Sequence, residues 1–206
     1  LSAMTGIKTI VLSMPIKQKS LQHDLSLKHQ EWLVKNFDNV ETHILNLDKL
    51  FETFESTLSN FDSELGMANS RARIRMTTLY QVAAANRGIV VGTGNKVEDF
   101  GVGFFTKYGD GGVDISPIAD LTKTEVWALA AEVGVIDEIV KAKPTDGLWE
   151  DGRSDEDQIG ASYPELEWAM KHEGDGSLLS ERKQEVLAIF RSLNKINRHK
   201  IDPIPI

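Results

Sequence analysis

The chain has 206 residues with a formal net charge of −8; 41% of its residues are hydrophobic and 26% are charged. Such a length supports one domain with a sizeable core, and the acidic balance disfavours partnership with nucleic acids or anionic membrane surfaces. The chain contains no cysteine, which excludes internal disulfides, thiolate metal sites and a cysteine nucleophile, and which fits a cytoplasmic setting. No apolar run approaches the roughly 18 residues that a membrane-spanning helix needs.

The first residues have an unusual pattern for the beginning of a domain. Leu1–Gly6 has the sequence of a last helical turn stopped by glycine. An apolar, β-branched run follows at once over Lys8–Met14 and is closed by Pro15, which predicts a strand. We therefore expect an upstream strand, loop and helix to precede Leu1 in the complete domain.

Strands and helices are expected to alternate through the first half of the chain. Helical spacing places Leu25, His29, Trp32 and Leu33 on one face of a helix. The predicted elements are a helix over 25–36, a strand over 40–47, a loose helical connection over 50–65, a helix over 69–87 ended by a glycine, and a third strand over 89–91.

The second half is expected to be mainly helical. Thr122 and Glu125 have the spacing of a capping box that opens a helix. Lys143–Gly160 is a long acidic connection of the kind that often serves as a lid. Further helices are predicted over 163–172 and 180–194, followed by a non-helical, proline-rich tail from residue 197. The alternation predicts a single α/β domain over 1–206, with an open, mostly parallel sheet and helices on both faces.

A candidate ligand site lies between Asn69 and Asp114. This stretch reads as an arginine-bearing helix, a buried strand and a loop rich in Gly, Asn, Glu, Lys and Asp. Open α/β sheets bind ligands outside the carboxyl ends of their strands. Arg73 shares a helical stripe with Asn69 and Tyr80, where a guanidinium can bind a carboxylate or phosphate in a bidentate manner.

The loop after the third predicted strand supplies phosphate- and metal-binding chemistry. Small residues around Thr93 let a ligand approach the backbone, and Glu98 is of the type that binds Mg²⁺. Lys107 adds a cation, and Asp110 lies between glycines. Each of these short motifs is also compatible with an ordinary turn or a solvated surface, so their order along the chain carries the interpretation.

Taken in that order, the motifs resemble those of the ammonia-dependent NAD synthetases, members of the ATP pyrophosphatase (PP-loop) group. The matching segments, spread over about residues 69–200, are NSRARIRM, VVGTGNKVE, FFTKYGDGGVD, LTKTEV, KPTDGLW, SDEDQIG and RHK. The resemblance implies an adenine nucleotide alpha hydrolase-like fold. It also implies ATP-dependent amidation of deamido-NAD by ammonia, with Mg²⁺ as cofactor, in a cytoplasmic homodimer.

The resemblance assigns a role to each candidate residue. ATP would be bound by Thr93, Lys123 and Thr145, and Mg²⁺ by Glu98. Deamido-NAD would be bound by Arg73, Lys107, Asp114, His199 and Lys200. Asp110 would accept a proton from ammonium, and Asp155 and Glu156 would belong to a loop that closes over the site.

The sequence departs from the family pattern in two places. The SGGxDS loop, which cradles the ATP pyrophosphate in the family, does not occur here and would lie just before Leu1. One extra residue lies between Glu98 and Lys107. Two alternatives to the leading hypothesis remain open from the residues: another PP-loop amidating ligase, such as a GMP synthetase, and a non-catalytic nucleotide-binding module.

Overall fold

Residues 1–18, 20–145, 147, 152–204 and 206 are described by the computed structural model. Within them, two strands and eight α-helices follow one another along the chain. Their bounds are β1 Thr9–Ser13, α1 Ser20–Asn36, β2 Val40–Ile44, α2 Asp48–Thr57, α3 Glu64–Ala85, α4 Lys123–Glu132, α5 Asp137–Val140, α6 Asp155–Ile159, α7 Tyr163–Lys171 and α8 Glu181–Ile201.

The two strands form a parallel pair, as the alternation of elements predicted. Thr9 pairs with Val40 at one end and Ser13 with Ile44 at the other. Helix α1 connects them and packs on both. Before β1, residues Ala3–Thr5 form a short 3-10 helix that ends at Gly6 with φ 75°, so the helical turn stopped by glycine that the sequence predicted is present.

The third predicted strand is reduced to one isolated parallel bridge, Val91 to Ile115, in the described part of the chain. The prediction of a strand over 89–91 was therefore too generous. The backbone N–H of Val90 donates to the Asp114 carboxylate at 2.7 Å instead of to a neighbouring strand. Gly92 N still donates to Ile115 O at 2.7 Å, so the segment keeps the direction of a parallel strand without a ladder.

Helix caps explain where the central helices begin. Helix α3 starts five residues before the predicted Asn69 because the Ser63 hydroxyl accepts a hydrogen bond from Gly66 N at 3.2 Å. The predicted capping box of Thr122 and Glu125 is present at the start of α4.

The prediction of a non-helical tail from residue 197 was wrong, because α8 continues to Ile201. The prolines that suggested a break begin only at Pro203, beyond the helix end. The last turn is held by a local i,i+4 ion pair between Arg198 and Asp202 at 2.8 Å. A contact that no local pattern reveals also holds it, since Asn197 Nδ2 donates to Val102 O at 2.9 Å.

The segment Lys96–Val102 is a π-helix. A π-helix takes up more residues per hydrogen-bonded turn than an α-helix, and such segments are frequent at functional sites. This segment overlaps the stretch between Glu98 and Lys107 in which the sequence predicts one extra residue relative to the family pattern. Asn194 of α8 donates from Nδ2 to Gly101 O at 2.7 Å and so pairs a carbonyl of the π-helix at a buried glycine.

Two hydrophobic clusters form the core. The larger one joins the π-helix to α7 and α8, and its members include Val97, Val102, Tyr163, Leu166 and Val186. The smaller one lies under α2 and is built on Ile16, Leu47 and Phe51. None of the described helices combines the length and apolar composition needed to cross a membrane.

Candidate active site

Glu98 is the centre of a buried polar network. Its Oε1 accepts from Lys123 Nζ at 2.7 Å and from the Tyr163 hydroxyl, and its Oε2 accepts from Asn95 Nδ2. The Glu98 and Lys123 side chains are only 14% and 16% exposed. A buried charge is costly unless it is paired. The hydrogen bonds from Lys123, Tyr163 and Asn95 pair this carboxylate and hold it in one orientation.

The local structure on either side fixes Glu98 and Lys123. Asn95 caps the π-helix, with its Oδ1 accepting from Val97 N and Glu98 N at 3.1 Å each. Glu167 of α7 accepts from Thr124 N at 2.9 Å and thereby caps α4. A lysine at a helix N-terminus is electrostatically unfavourable, and here two carboxylates, Glu98 and Glu167, offset it.

Tyr163 forms the buried, core-facing side of this network. It is fully buried, its ring lies 4.9 Å from Lys123 Nζ, and Trp127 packs against the ring edge-on at 5.9 Å between centroids. Its hydroxyl is also 3.3 Å from Asp155 Oδ2. Burial, and then the charge and hydrogen bond of Glu98, hold the pKa of Tyr163 above its usual range, so the phenol remains a proton donor.

Asp99 adds a second carboxyl beside Glu98. Burial, followed by the charges of Asp110 and Glu98, raises the pKa of Asp99 to about 7. The carboxyl packs on the backbone of Gly94, where an added Cβ would lie 1.8 Å from Asp99 Oδ2. The glycine of the predicted Gly-Thr-Gly turn is therefore required by this contact.

The Asp99 pKa predicts a pH-dependent stability. A raised carboxyl pKa means that the folded state binds more protons than the unfolded state between about pH 4 and 7, so stability falls as pH rises through that window. We expect Asp99→Asn to remove this loss. Relative to the parent protein, the free energy of unfolding of the variant should be higher at pH 8 than at pH 4 by an amount on the order of 1–4 kcal/mol. Urea unfolding of both proteins at several pH values measures it, and equal pH slopes would contradict it.

Four of the five residues predicted to hold deamido-NAD converge through backbone contacts. Arg73 Nε donates to Lys107 O at 3.3 Å, and Lys107 Nζ donates to His199 O. Lys200 Nζ donates to Gly103 O and Phe105 O, both at 2.9 Å. Helices α3 and α8 thus present cations on either side of the loop after the π-helix. Burial lowers the pKa of Lys200.

The two aspartates of the glycine-rich loop differ in their surroundings. Asp110 is exposed, and its Oδ1 accepts from Thr106 N at 2.9 Å. Asp114 accepts from the Tyr80 hydroxyl at 3.0 Å as well as from Val90 N. Asp114 therefore ties helix α3 to the residues of the third predicted strand, whereas Asp110 presents its carboxylate at the surface.

The residues predicted to bind ATP line two different cavities. Lys123 and Thr145 line a cavity of about 460 Å³ together with Gln18, Gln22 and Trp127, which we call the Lys123 cavity. Thr93 lines a second, apolar cavity of about 330 Å³ between α1 and α4. His29 borders both cavities, so the structure brings two of the three residues together and leaves Thr93 on the adjoining surface.

Glu98 supplies one carboxylate for a hard cation whose other coordination positions a phosphate ligand and water would fill. The described residues contain no group of three or more His, Cys, Asp or Glu side chains arranged to hold a metal ion. Magnesium commonly takes one or two protein carboxylates and completes its coordination with phosphates and water. Asp99 lies next to Glu98, and burial, followed by the charges of Asp110 and Glu98, raises its pKa, so a second carboxyl is close to the proposed ligand.

The predicted lid, Lys143–Gly160, is described in part. Residues 146 and 148–151 lie outside the described residues. Ser154 and Asp157 form a capping box that opens helix α6, and Asp155 N donates to Pro144 O at 3.0 Å. Asp155 is buried against Tyr163, and Glu156 Oε1 accepts from Tyr163 N at 2.8 Å, so both predicted lid residues contact the site's supporting helix.

The comparison that decides the family covers almost the whole chain. The family model described as NAD synthase matches residues 2–203. The chain belongs to the NAD synthase family. Its fold is therefore the adenine nucleotide alpha hydrolase-like α/β fold, in agreement with the solved structures it resembles.

Named relatives and solved structures agree with that assignment. An NH(3)-dependent NAD(+) synthetase from Carboxydothermus hydrogenoformans is 37% identical over 172 residues, which is 82% of this chain and 67% of the relative. One from Methanosarcina acetivorans is 31% identical, over 96% of this chain and 79% of the relative. The NMN synthetase structure from Francisella tularensis has a TM-score of 0.85 at 30% identity, covering 98% of this chain and 80% of that one.

Other relatives have a lower TM-score or match a smaller part of the chain. The ammonia-dependent NAD synthetase structure from Campylobacter jejuni has a TM-score of 0.72 at 26% identity, over 96% of this chain and 77% of that one. A Thermoplasma volcanium relative is 43% identical but matches 62% of this chain. The chain spans about half the length of several such curated relatives, such as 52% for the Thermoplasma volcanium protein.

Sequence reasoning missed several members of the network. Asn95 had a local signal, since an asparagine just before an acidic first turn is a typical N-cap. Tyr163 had none, because its importance follows from a contact with Glu98 across the fold, and the importance of Asp99 follows from its burial. Arg75 of α3 donates from Nε to Met14 O at 3.0 Å, directly after β1.

Proposed function

We propose that this protein catalyses the ATP-dependent amidation of deamido-NAD by ammonia to NAD, with release of AMP and pyrophosphate. Membership of the NAD synthase family carries the proposal. The structure supports it through the buried pairing of Glu98 with Lys123 beside a nucleotide-sized cavity. A non-catalytic module has no need of such a carboxylate, and a GMP synthetase-like ligase is disfavoured by the named relatives.

The chemistry has two steps. An oxygen of the nicotinate carboxylate attacks the α-phosphorus of ATP, the bond to the bridging oxygen breaks, and pyrophosphate leaves. Ammonia then attacks the carbonyl carbon of the acyl-adenylate, and AMP leaves with the former carboxylate oxygen. The nitrogen loses protons on the way from ammonium to amide, so a carboxylate base beside it is needed.

The first step depends on charge placement. Lys123 and Thr145 would contact ATP in the Lys123 cavity, with Thr93 contributing from its edge, and the lysine would neutralise charge on phosphate oxygens. When bound, magnesium would neutralise phosphate charge further, and Glu98 would hold it. Arg73, Lys107, Asp114, His199 and Lys200 would bind the anionic deamido-NAD.

The second step depends on Asp110 and on exclusion of water. Asp110, exposed on the glycine-rich loop, would accept the ammonium proton. The segment containing Asp155 and Glu156 would close over the adenylate and keep water away. We further propose that the protein acts as a cytoplasmic homodimer, as the family resemblance implies.

A direct assay tests the proposed function. Purified protein is incubated with ATP, Mg²⁺, ammonium and deamido-NAD, and NAD, AMP and pyrophosphate are quantified. We expect equal amounts of the three products and no AMP when deamido-NAD is omitted. ATP binding without turnover in the full-length protein would instead favour the non-catalytic module.

A second candidate substrate is nicotinate mononucleotide. The observation that favours it is the TM-score of 0.85 to a structure named NMN synthetase, compared with 0.72 to the Campylobacter jejuni NAD synthetase. The same chemistry would apply, with a substrate that lacks the adenylyl half. Parallel measurement of kcat/KM for both substrates decides between them, and a preference above about tenfold, or 1.4 kcal/mol, assigns the substrate.

A further inference from the structure

Tyr163 occupies a position between two functional elements that the family resemblance treats separately. Its hydroxyl contacts Glu98 on the π-helix and lies 3.3 Å from Asp155 Oδ2 on α6. Its backbone N–H donates to Glu156 at 2.8 Å. One residue therefore contacts both the proposed metal-binding carboxylate and the two acidic residues of the proposed closing segment.

The start of α7 holds the phenol ring in place. Ser162 and Glu165 form a capping box there, and Arg182 of α8 clamps Glu165 through its Nε and Nη2, both at 2.8 Å. The ring itself is 0% exposed within the larger core cluster. A side chain this constrained can impose its geometry on the Glu98 carboxylate. Among the described residues, the other side chains that donate to this carboxylate are Asn95 and Lys123.

The hydroxyl has one proton for two carboxylates. A phenol donates a single hydrogen bond, and ionised carboxylates only accept. The closer contact is to Glu98, so the proton is directed there while Asp155 lies at the longer distance. A displacement of α6 changes the competition for that proton and so changes how firmly the Glu98 carboxylate is held.

We propose that Tyr163 is a positioning residue that orients the Glu98 carboxylate for the metal–nucleotide complex and couples this orientation to the placement of α6. The proposal rests on the proposed function, because it concerns the same site. Residues that orient a metal ligand through hydrogen bonds commonly contribute 10–100-fold to metal affinity or activity. Tyr163 is not placed in contact with the substrate.

Tyr163→Phe in the full chain isolates the hydroxyl, because the ring and its packing remain. We expect the affinity for Mn²⁺ in the presence of ATP, measured by electron paramagnetic resonance, to fall about 10- to 100-fold. We also expect the Mg²⁺ concentration for half-maximal pyrophosphate release to rise by a similar factor, while KM for deamido-NAD changes less than about threefold. Mn²⁺ affinity and Mg²⁺ requirement within twofold of the parent protein would overturn the proposal.

Two further variants separate positioning from general destabilisation. Val186→Ala removes packing from the same core cluster without a polar contact, and we expect its Mn²⁺ affinity to equal that of the parent protein; a loss as large as that of Tyr163→Phe would overturn the proposal. Asp155→Asn, Tyr163→Phe and the variant that combines the two substitutions form a double-mutant cycle. Additive effects on Mn²⁺ affinity would refute the coupling to α6, and a clearly non-additive effect would support it.

The Mn²⁺ measurement also distinguishes this proposal from the proposed function. If the parent protein binds Mn²⁺ and ATP but forms no NAD, the proposed function fails while the loss in Tyr163→Phe still supports the positioning role. If the parent protein turns over and Tyr163→Phe behaves identically, the function stands and the positioning role is refuted.

Discussion

Replacing Glu98 by alanine should abolish adenylation while the fold remains intact. The variant removes the acceptor shared by Lys123, Tyr163 and Asn95 and the only carboxylate that we assign to the metal. Removal of one group that stabilises transition-state charge commonly lowers kcat about 100- to 1,000-fold. We expect pyrophosphate release from ATP and deamido-NAD, measured without ammonium in a single turnover, to fall by at least that factor.

Glu98→Gln tests whether charge or hydrogen bonding is responsible. Glutamine retains the side-chain volume and one acceptor oxygen, so the buried Tyr163 hydroxyl keeps an acceptor. A buried donor without an acceptor costs about 1–3 kcal/mol of stability. We expect Glu98→Gln to unfold at nearly the temperature of the parent protein and to adenylate as slowly as Glu98→Ala. Restored adenylation in the glutamine variant would show that the charge is dispensable.

A matched control lies at the end of helix α4. Glu132 is exposed, and its replacement by alanine removes a carboxylate of the same type outside the network. We expect Glu132→Ala to release pyrophosphate at the parent rate. Near-normal pyrophosphate release in Glu98→Ala would refute the role assigned to Glu98.

Local signals predicted the elements that present the site. The β-branched run that forms β1, the capping box of Thr122 and Glu125, and the glycine at the end of the first helical turn all act within a few residues, so the sequence alone reveals them. The elements that failed depend on distant partners. The tail is helical because α8 packs on the π-helix, and the third strand is shortened because Asp114 takes the Val90 N–H.

The same distinction applies to the site. Glu98 and Lys123 were predicted as separate ligand contacts, 25 residues apart, and the structure shows that they pair directly. Tyr163 lies 65 residues from Glu98 along the chain, and no spacing rule connects them. The residue types of a ligand site are therefore visible in the sequence, whereas the partners that hold them in place require the packed fold.

Replacing Asp110 by asparagine should separate the two chemical steps. Asparagine retains an oxygen that can accept from Thr106 N, the contact made by Asp110 Oδ1 at 2.9 Å, so the loop keeps its turn. It cannot act as a base. General-base catalysis typically contributes about 10²–10⁴-fold, and we expect amide formation from ammonium to fall by that factor while pyrophosphate release stays within about threefold.

The nucleophile and the pH provide the control. At neutral pH hydroxylamine attacks without first losing a proton, so Asp110→Asn should form the hydroxamate at close to the parent rate. Raising the pH supplies free ammonia from solution, and the variant's amidation rate should therefore rise more steeply with pH than that of the parent protein. Asp62→Asn, which changes an exposed aspartate outside the site, should behave as the parent protein in pyrophosphate release, amide formation, hydroxamate formation and the pH dependence of amidation.

Equal losses with ammonium and hydroxylamine would contradict the base assignment. Such a result would mean that Asp110 acts before the nitrogen is deprotonated, by placing the adenylate or the loop. Burial raises the pKa of Asp99, and the charge of Asp110 raises it further. The same charge opposes the lowering of the Lys200 pKa that burial causes. Its removal would then alter the substrate-binding cations together with the nearby acids, and KM for deamido-NAD would rise along with the loss in rate.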